Sequence, residues 1–217
     1  MNHRLNRKYN SKKEYRFIYI FTEGEKTETN YFKSKKEEIE GEIRRKKVKI
    51  EIKGDGYNTL SLVDYVLDFT ERQKVTIDNS EDSDECWVVF DKDNFPEFNN
   101  AIEKAEARGL KVAYSNECFE LWFLLHFSYF DSAVGRGHYE SKLTDNLQKK
   151  TGERKAEYSK TSENMYALIK DKEKDAIKNA RRLLDSYDSQ RPFSKNNPST
   201  TVHLLVESLN NLKNPRL

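Results

Sequence analysis

The stretch Tyr15–Thr22, YRFIYIFT, constrains the fold more than any other. Apart from Arg16 its residues are aromatic or β-branched, with no polar residue in alternate places. A strand of that kind must be covered on both faces, as happens in the interior of a parallel sheet. The run stops at Thr22-Glu23-Gly24-Glu25, and a helix-favouring segment follows over Thr27–Glu40, with Thr27 as its expected N-cap.

The same alternation recurs down the chain. Val48–Ile52 reads as a second strand, closed by Gly54-Asp55-Gly56, and Thr59–Thr70 as a helix with Leu60, Val63, Val66 and Leu67 on one face. A polar loop at 79–84 precedes a third strand at Cys86–Phe90. Glu97–Arg108 reads as a helix stopped by Gly109, then Leu110–Tyr114 as a strand and Phe119–Phe127 as a strongly apolar helix. The expected fold class is therefore α/β: a four-stranded parallel sheet with helices on both faces, over residues 15–128. Residues 129–217 are more polar and are expected to be a helical extension packed on that sheet. Asp175–Tyr187 and Thr200–Leu212 carry apolar stripes that need a surface, and Pro198-Ser199-Thr200 reads as a helix start. Residues 1–14 form a basic segment, expected to be a flexible tail that either contacts phosphates or is simply solvated.

Composition narrows the function classes. Hydrophobic residues and charged residues each make up 35% of the 217-residue chain, a balance that leans toward disorder, but an aromatic share of 12% argues for a compact core. Net charge is +2, so an anionic partner must be met by a local patch rather than by the whole molecule. Cys86 and Cys118 lack metal-ligand spacing and lie in apolar surroundings, which points to buried thiols in a reducing compartment. No run approaches ~18 apolar residues, so no membrane span is expected and the cytoplasm is the expected location.

Acids collect where the strands end. Glu23, Glu25 and Glu28 follow the first strand, Asp91 and Asp93 the third, and Glu117 and Glu120 the fourth. In an open parallel sheet, ligands bind beyond the carboxyl ends of the strands, where the strand order reverses. With a 2-1-3-4 order, Glu23 and the Asp91/Asp93 pair would share that crevice. Crowded carboxylates repel unless a cation joins them, and an all-oxygen set suits Mg²⁺ or Mn²⁺. Gly24 would permit a sharp turn and a close ligand approach. Each piece also has a plain alternative: D-x-D is a common turn motif, and Glu25 or Glu28 suits the positive end of a helix.

At these residues the chain resembles a known family. The segments EGEKTETNYF (23–32), VVFDKDNF (88–95), AYSNECFELWFLLHF (113–127) and NPSTTVHLLVESL (197–209) resemble the RloB-like family, associated with bacterial restriction and abortive-infection loci. The resemblance implies a Toprim-like domain, in which an acid after the first strand and a D-x-D after the third hold divalent metal. By position, Glu23 matches that acid, Asp91 and Asp93 match the D-x-D, and Glu28 matches a second acid after the glycine turn. Glu120, in F-E-L-W, becomes a further candidate for holding metal or orienting water. Asn94-Phe95-Pro96 departs from the D-x-D-x-x-G of topoisomerases and primases, which leaves nuclease as the better fit. The implied activity is metal-dependent hydrolysis of nucleic acid, DNA or RNA, in antiphage defence, with a protein partner from the same locus and oligomers left open. The rival functions are an Asp91 phosphatase or phosphotransferase and a non-enzymatic partner-binding component.

Other residues carry weaker signals. His126 and Trp122 lie on an apolar helix and read first as core. Lys92 either offsets its flanking acids or faces solvent. Arg154, Lys155, Tyr158 and Lys160 are a basic stretch with an aromatic that could meet a nucleic-acid backbone, yet Glu153 and Glu157 among them favour a solvated face.

Overall fold

The computed structural model describes residues 15–43, 47–54, 56–77, 80, 83–189 and 191–213. The basic segment 1–14, Asp55 and parts of the 79–84 loop lie outside the described residues. The parallel strands are β1 (Arg16–Thr22), β2 (Val48–Gly54), β3 (Glu85–Asp91) and β4 (Lys111–Asn116). The helices between and after them are α1 (Thr27–Glu42), α2 (Thr59–Gln73), α3 (Phe98–Ala107) and α4 (Glu120–Leu125). The sheet order is β2-β1-β3-β4-β5, with β5 the short strand Ser199–Thr200, so β1 and β3 meet at the point where the order reverses.

The last strand corrects the sequence expectation. Ser199–Thr200 is β5, a two-residue antiparallel edge on β4, rather than the start of a helix. Thr200 Oγ1 instead donates to Tyr114 O at 3.0 Å, and the helix α8 begins two residues later (Val202–Asn211). A second correction concerns Thr27. It is the first helical residue, Lys26 holds the cap position, and the Thr27 hydroxyl donates to Lys160 O at 3.1 Å. Two helices in the polar C-terminal part had no clear sequence signal: α5 (Arg136–Thr151) and α6 (Met165–Ile169). In α5 only Tyr139, Leu143 and Leu147 are buried, four residues apart, against an otherwise polar face. Glu173–Asp185 forms α7.

The unbroken apolarity of β1 has a direct explanation. Ile18 and Ile20 enter the core on one face of the sheet, Tyr19 and Phe21 the core on the other. β3 divides likewise, Trp87 and Val89 against Cys86, Val88 and Phe90. On the Tyr19 face lie α2 and α3. On the Ile18 face, α1, α4, α5, α6, α7 and α8 join one continuous apolar cluster with the strands. A buried polar staple ties that cluster together: Lys35 Nζ lies 2.7 Å from Glu173 Oε2 and 2.9 Å from Asn210 Oδ1. Both cysteines are buried free thiols. Among the described residues, no helix is long and apolar enough to cross a membrane.

Candidate active site

The carboxyl ends of β1 and β3 deliver their acids to one cleft. The β1–β3 ladder runs one residue past the strand, because Glu23 N donates to Val89 O at 2.9 Å. That places Glu23 against the end of β3: its Oε2 accepts from Asp91 N at 3.3 Å and its Oε1 from Thr59 Oγ1 at 3.3 Å. The turn after β1 is held by two hydroxyls. Thr22 Oγ1 and Thr29 Oγ1 lie 2.6 Å apart, one donating to the other, and stand 2.9 and 2.7 Å from Gly24 O, which accepts from the remaining hydroxyl. Gly24 matters for closeness: a Cβ there would sit 2.2 Å from Glu28 Oε2. The group that approaches Gly24 is thus the chain's own Glu28, which needs the missing side chain in order to turn in beneath the strand end.

The resulting cleft, about 300 Å³, is lined by the acids Glu23, Glu25, Glu28, Asp91, Asp93 and Glu120 together with Arg136 and Lys160. Every carboxylate proposed from the sequence is therefore in one place. Their roles differ. Asp91 is only 9% exposed, and its Oδ1 is buried without a hydrogen-bond partner. Asp93 has a left-handed backbone, φ 42°, a strained conformation that Asp tolerates better than most residues. Glu120, buried at the start of α4, accepts the Tyr158 hydroxyl at 2.9 Å. Glu25 is exposed on the rim.

Burial and neighbouring negative charge push Glu23, Glu28 and Asp91 toward neutrality. Burial raises the Glu23 carboxyl to about 7, with the Asp91 N–H pulling the other way and Asp93 adding repulsion. Glu28 also titrates near 7, first through burial, then through repulsion from Glu120 and Glu23. Asp91 is held well above the ordinary carboxylate range by burial and by Glu28 and Glu120, against the opposing pull of Arg136.

Three contributors were not read from the sequence as site residues. Arg136, the first residue of α5, pairs with Asp93 and places Nη2 at 3.6 Å from Asp91 Oδ2. It lies in a helix with little apolar periodicity, more than 40 residues beyond the D-x-D it pairs with, so nothing local in the sequence pointed to it. In the basic stretch, Tyr158 turns inward and bonds Glu120, whereas Lys160 stays exposed on the rim of the cleft and pairs with Glu140 at 3.0 Å. His126, by contrast, is a core residue: its Nδ1 meets Trp122 O at 2.9 Å, and burial lowers it to about 4. The Cys118 thiol is buried and pushed up by burial and by Glu120, so it is no nucleophile.

The donor chemistry suits a hard divalent cation: oxygens only, crowded negative charge, and an orphaned buried carboxylate oxygen on Asp91. As the side chains stand, no three His, Cys, Asp or Glu groups among the described residues are gathered closely enough to hold a metal ion. Arg136 supplies positive charge across the D-x-D instead. A larger cleft of about 1060 Å³ lies beside the opposite ends of the strands, around Arg16, Glu85, Trp87 and Lys111. There Glu85 is already paired with Arg16 and, at 3.0 Å, with Lys111, so the cleft does not concentrate unpaired charge as the switch-point cleft does.

The motifs that build the switch-point cleft also carry the comparison with known proteins. The family model described as RloB-like protein matches residues 18–209, from the middle of β1 to the last turn of α8. The chain belongs to the RloB-like family. No curated protein and no solved structure matches it. Every residue of the cleft falls inside the span that matches the RloB-like model.

Proposed function

We propose that this RloB-like chain is a metal-dependent, Toprim-like nuclease that hydrolyses phosphodiester bonds of DNA or RNA in antiphage defence. The observation that carries the proposal is the meeting of Glu23, Glu28, Asp91, Asp93 and Glu120 in one cleft at the β1/β3 switch point. Glu23, Asp91 and Asp93 are the residues to hold Mg²⁺ or Mn²⁺, and the ion would supply Lewis-acid stabilisation of charge on the phosphate. Glu28 lines the same cleft and is a further candidate to hold the ion. Its carboxyl, pushed up to about 7, is also suited to accept the proton of an attacking water at neutral pH. Tyr158 fixes Glu120 through one of its oxygens, and the carboxylate so held is the candidate to orient water. Arg136, Lys160 and the N-terminus of α1 line the cleft where an anionic backbone would lie. The defence role and a protein partner rest on the family's association with restriction and abortive-infection loci.

Phosphorylation of Asp91 itself is disfavoured, because its side chain is buried and held toward the neutral acid, a poor nucleophile. Labelled duplex DNA, single-stranded DNA, mRNA and tRNA, each incubated with Mn²⁺, Mg²⁺ or EDTA, test the proposal. Cleavage is expected with metal and not with EDTA, and Asp91→Asn should slow it by at least about 100-fold while the circular dichroism spectrum is unchanged. A wild type that cuts none of these substrates, or an Asp91→Asn variant that cuts as fast as wild type, would refute it.

A further inference from the structure

We propose that Arg136 is the resident counter-cation of the cleft, and that it exchanges Asp91 and Asp93 for a substrate phosphate when a divalent ion enters. The inference rests on the reading of the cleft as a metal-dependent phosphodiesterase site. Arg136 pairs with Asp93 and stands 3.6 Å from Asp91. A divalent ion needs oxygens from those same carboxylates at roughly 2.0–2.6 Å. Arg136 and a divalent ion would therefore compete for the charge of the same two carboxylates. The acids agree with this picture: they share a cleft, yet no three among the described residues form a closed donor set.

A second observation shows that Arg136 is an incomplete substitute. Asp91 Oδ1 is buried and unpartnered, so the guanidinium leaves one donor oxygen unused. The local chain also favours movement. Arg136 sits between Gly135 and Gly137, and an added Cβ at either glycine would meet nothing within 4 Å. Packing does not demand glycine there; what the pair provides is backbone freedom on both sides of the arginine. The Arg136 side chain is 36% exposed, so it can leave Asp93 without breaking a packed core. Once released, its planar fork matches phosphate oxygens, and Lys160 lies on the same rim.

Metal-stripped wild type, Arg136→Gln and Arg136→Lys separate the possibilities. Binding of Mn²⁺ is followed by electron paramagnetic resonance, and binding of fluorescent single-stranded and duplex DNA and RNA by anisotropy in Ca²⁺. Removing the competing charge should tighten Mn²⁺ binding by about 10-fold in Arg136→Gln, while oligonucleotide binding weakens by about 10-fold. Arg136→Lys should keep Mn²⁺ binding near wild type and still weaken the oligonucleotide. An arginine that is merely structural would lose both affinities together. Mn²⁺ binding in Arg136→Gln that is equal to or weaker than wild type overturns the exchange, as does a wild type that binds no Mn²⁺. Oligonucleotide binding unchanged in Arg136→Gln overturns the phosphate role. If wild type and variant differ as expected but neither cuts any nucleic acid, the nuclease proposal fails and the exchange stands.

Discussion

Replacing Glu28 by Gln should make the metal-free protein more stable above neutral pH, although the residue lies in the heart of the candidate site. The physical reason is that the folded chain holds the Glu28 carboxyl near 7, against an ordinary value of 4.5, because it is buried beside Glu120 and Glu23. The sign follows from linkage. A carboxyl raised on folding contributes stability that is fully present below pH 4.5 and is lost as pH rises through 7. Holding this charge in the folded state at pH 8 costs about 3 kcal/mol. Because the repulsion is shared with neighbouring acids, the gain expected for Gln is about 2 kcal/mol, or about 4–8 °C in melting temperature for a chain of this size. Urea unfolding in EDTA at pH 4, 6, 7 and 8 is the assay. Wild type and Glu28→Gln should agree at pH 4 and diverge steadily, with the variant ahead, by pH 8. Saturating Mn²⁺ should shrink the gap, since the ion offsets the charge that Gln removes. A gap that is the same at every pH, or a wild type that is the more stable at pH 8, refutes the assignment of buried repulsion to Glu28. The same variant should be slower in Mn²⁺-dependent cleavage, so stability and activity would move in opposite directions.

Other substitutions probe the supports. Gly24→Ala places a methyl group 2.2 Å from Glu28 Oε2, so Glu28 must swing away; about 1–3 kcal/mol of stability and most of the cleavage activity should be lost, as read by melting and single-turnover assays. Tyr158→Phe removes the hydroxyl that holds buried Glu120 at 2.9 Å and should cost about 1.5–3 kcal/mol, measured by urea unfolding. Lys35→Met leaves Glu173 and Asn210 without their buried partner; a cost of about 3 kcal/mol in the same assay is expected, with Mn²⁺ affinity unaffected.

How far the sequence could be read depended on how local each signal was. Strands β1 and β3 announced themselves because a strand covered on both faces needs an unbroken apolar run, and the edge strand β2 by its alternation of Val48, Ile50 and Ile52 with charged residues; the acids after β1 and β3 were visible as abrupt changes in chemistry. Their convergence required only the 2-1-3-4 order, which the structure has. The short strand β5 did not announce itself. Ser199-Thr200 has good helix-start chemistry, and only the open edge of β4 turns those hydroxyls and backbone groups into sheet partners. Helix α5 was hidden for a similar reason: three buried residues in sixteen suffice once a core stands ready to receive them.

The amino-acid sequence by itself determined the α/β alternation and the placing of Glu23, Asp91 and Asp93 at strand ends, because both follow from the order of residues along single elements. Tertiary structure alone decided what those acids face. Arg136 and Tyr158 come from the C-terminal half and reach Asp93 and Glu120 only because the later helices share a core with the Ile18 face of the sheet. Charge in a cleft is a sum over space rather than over sequence. Glu23 and Glu28 titrate near 7, and an arginine sits among the acids, because burial and packing brought distant segments within a few ångströms.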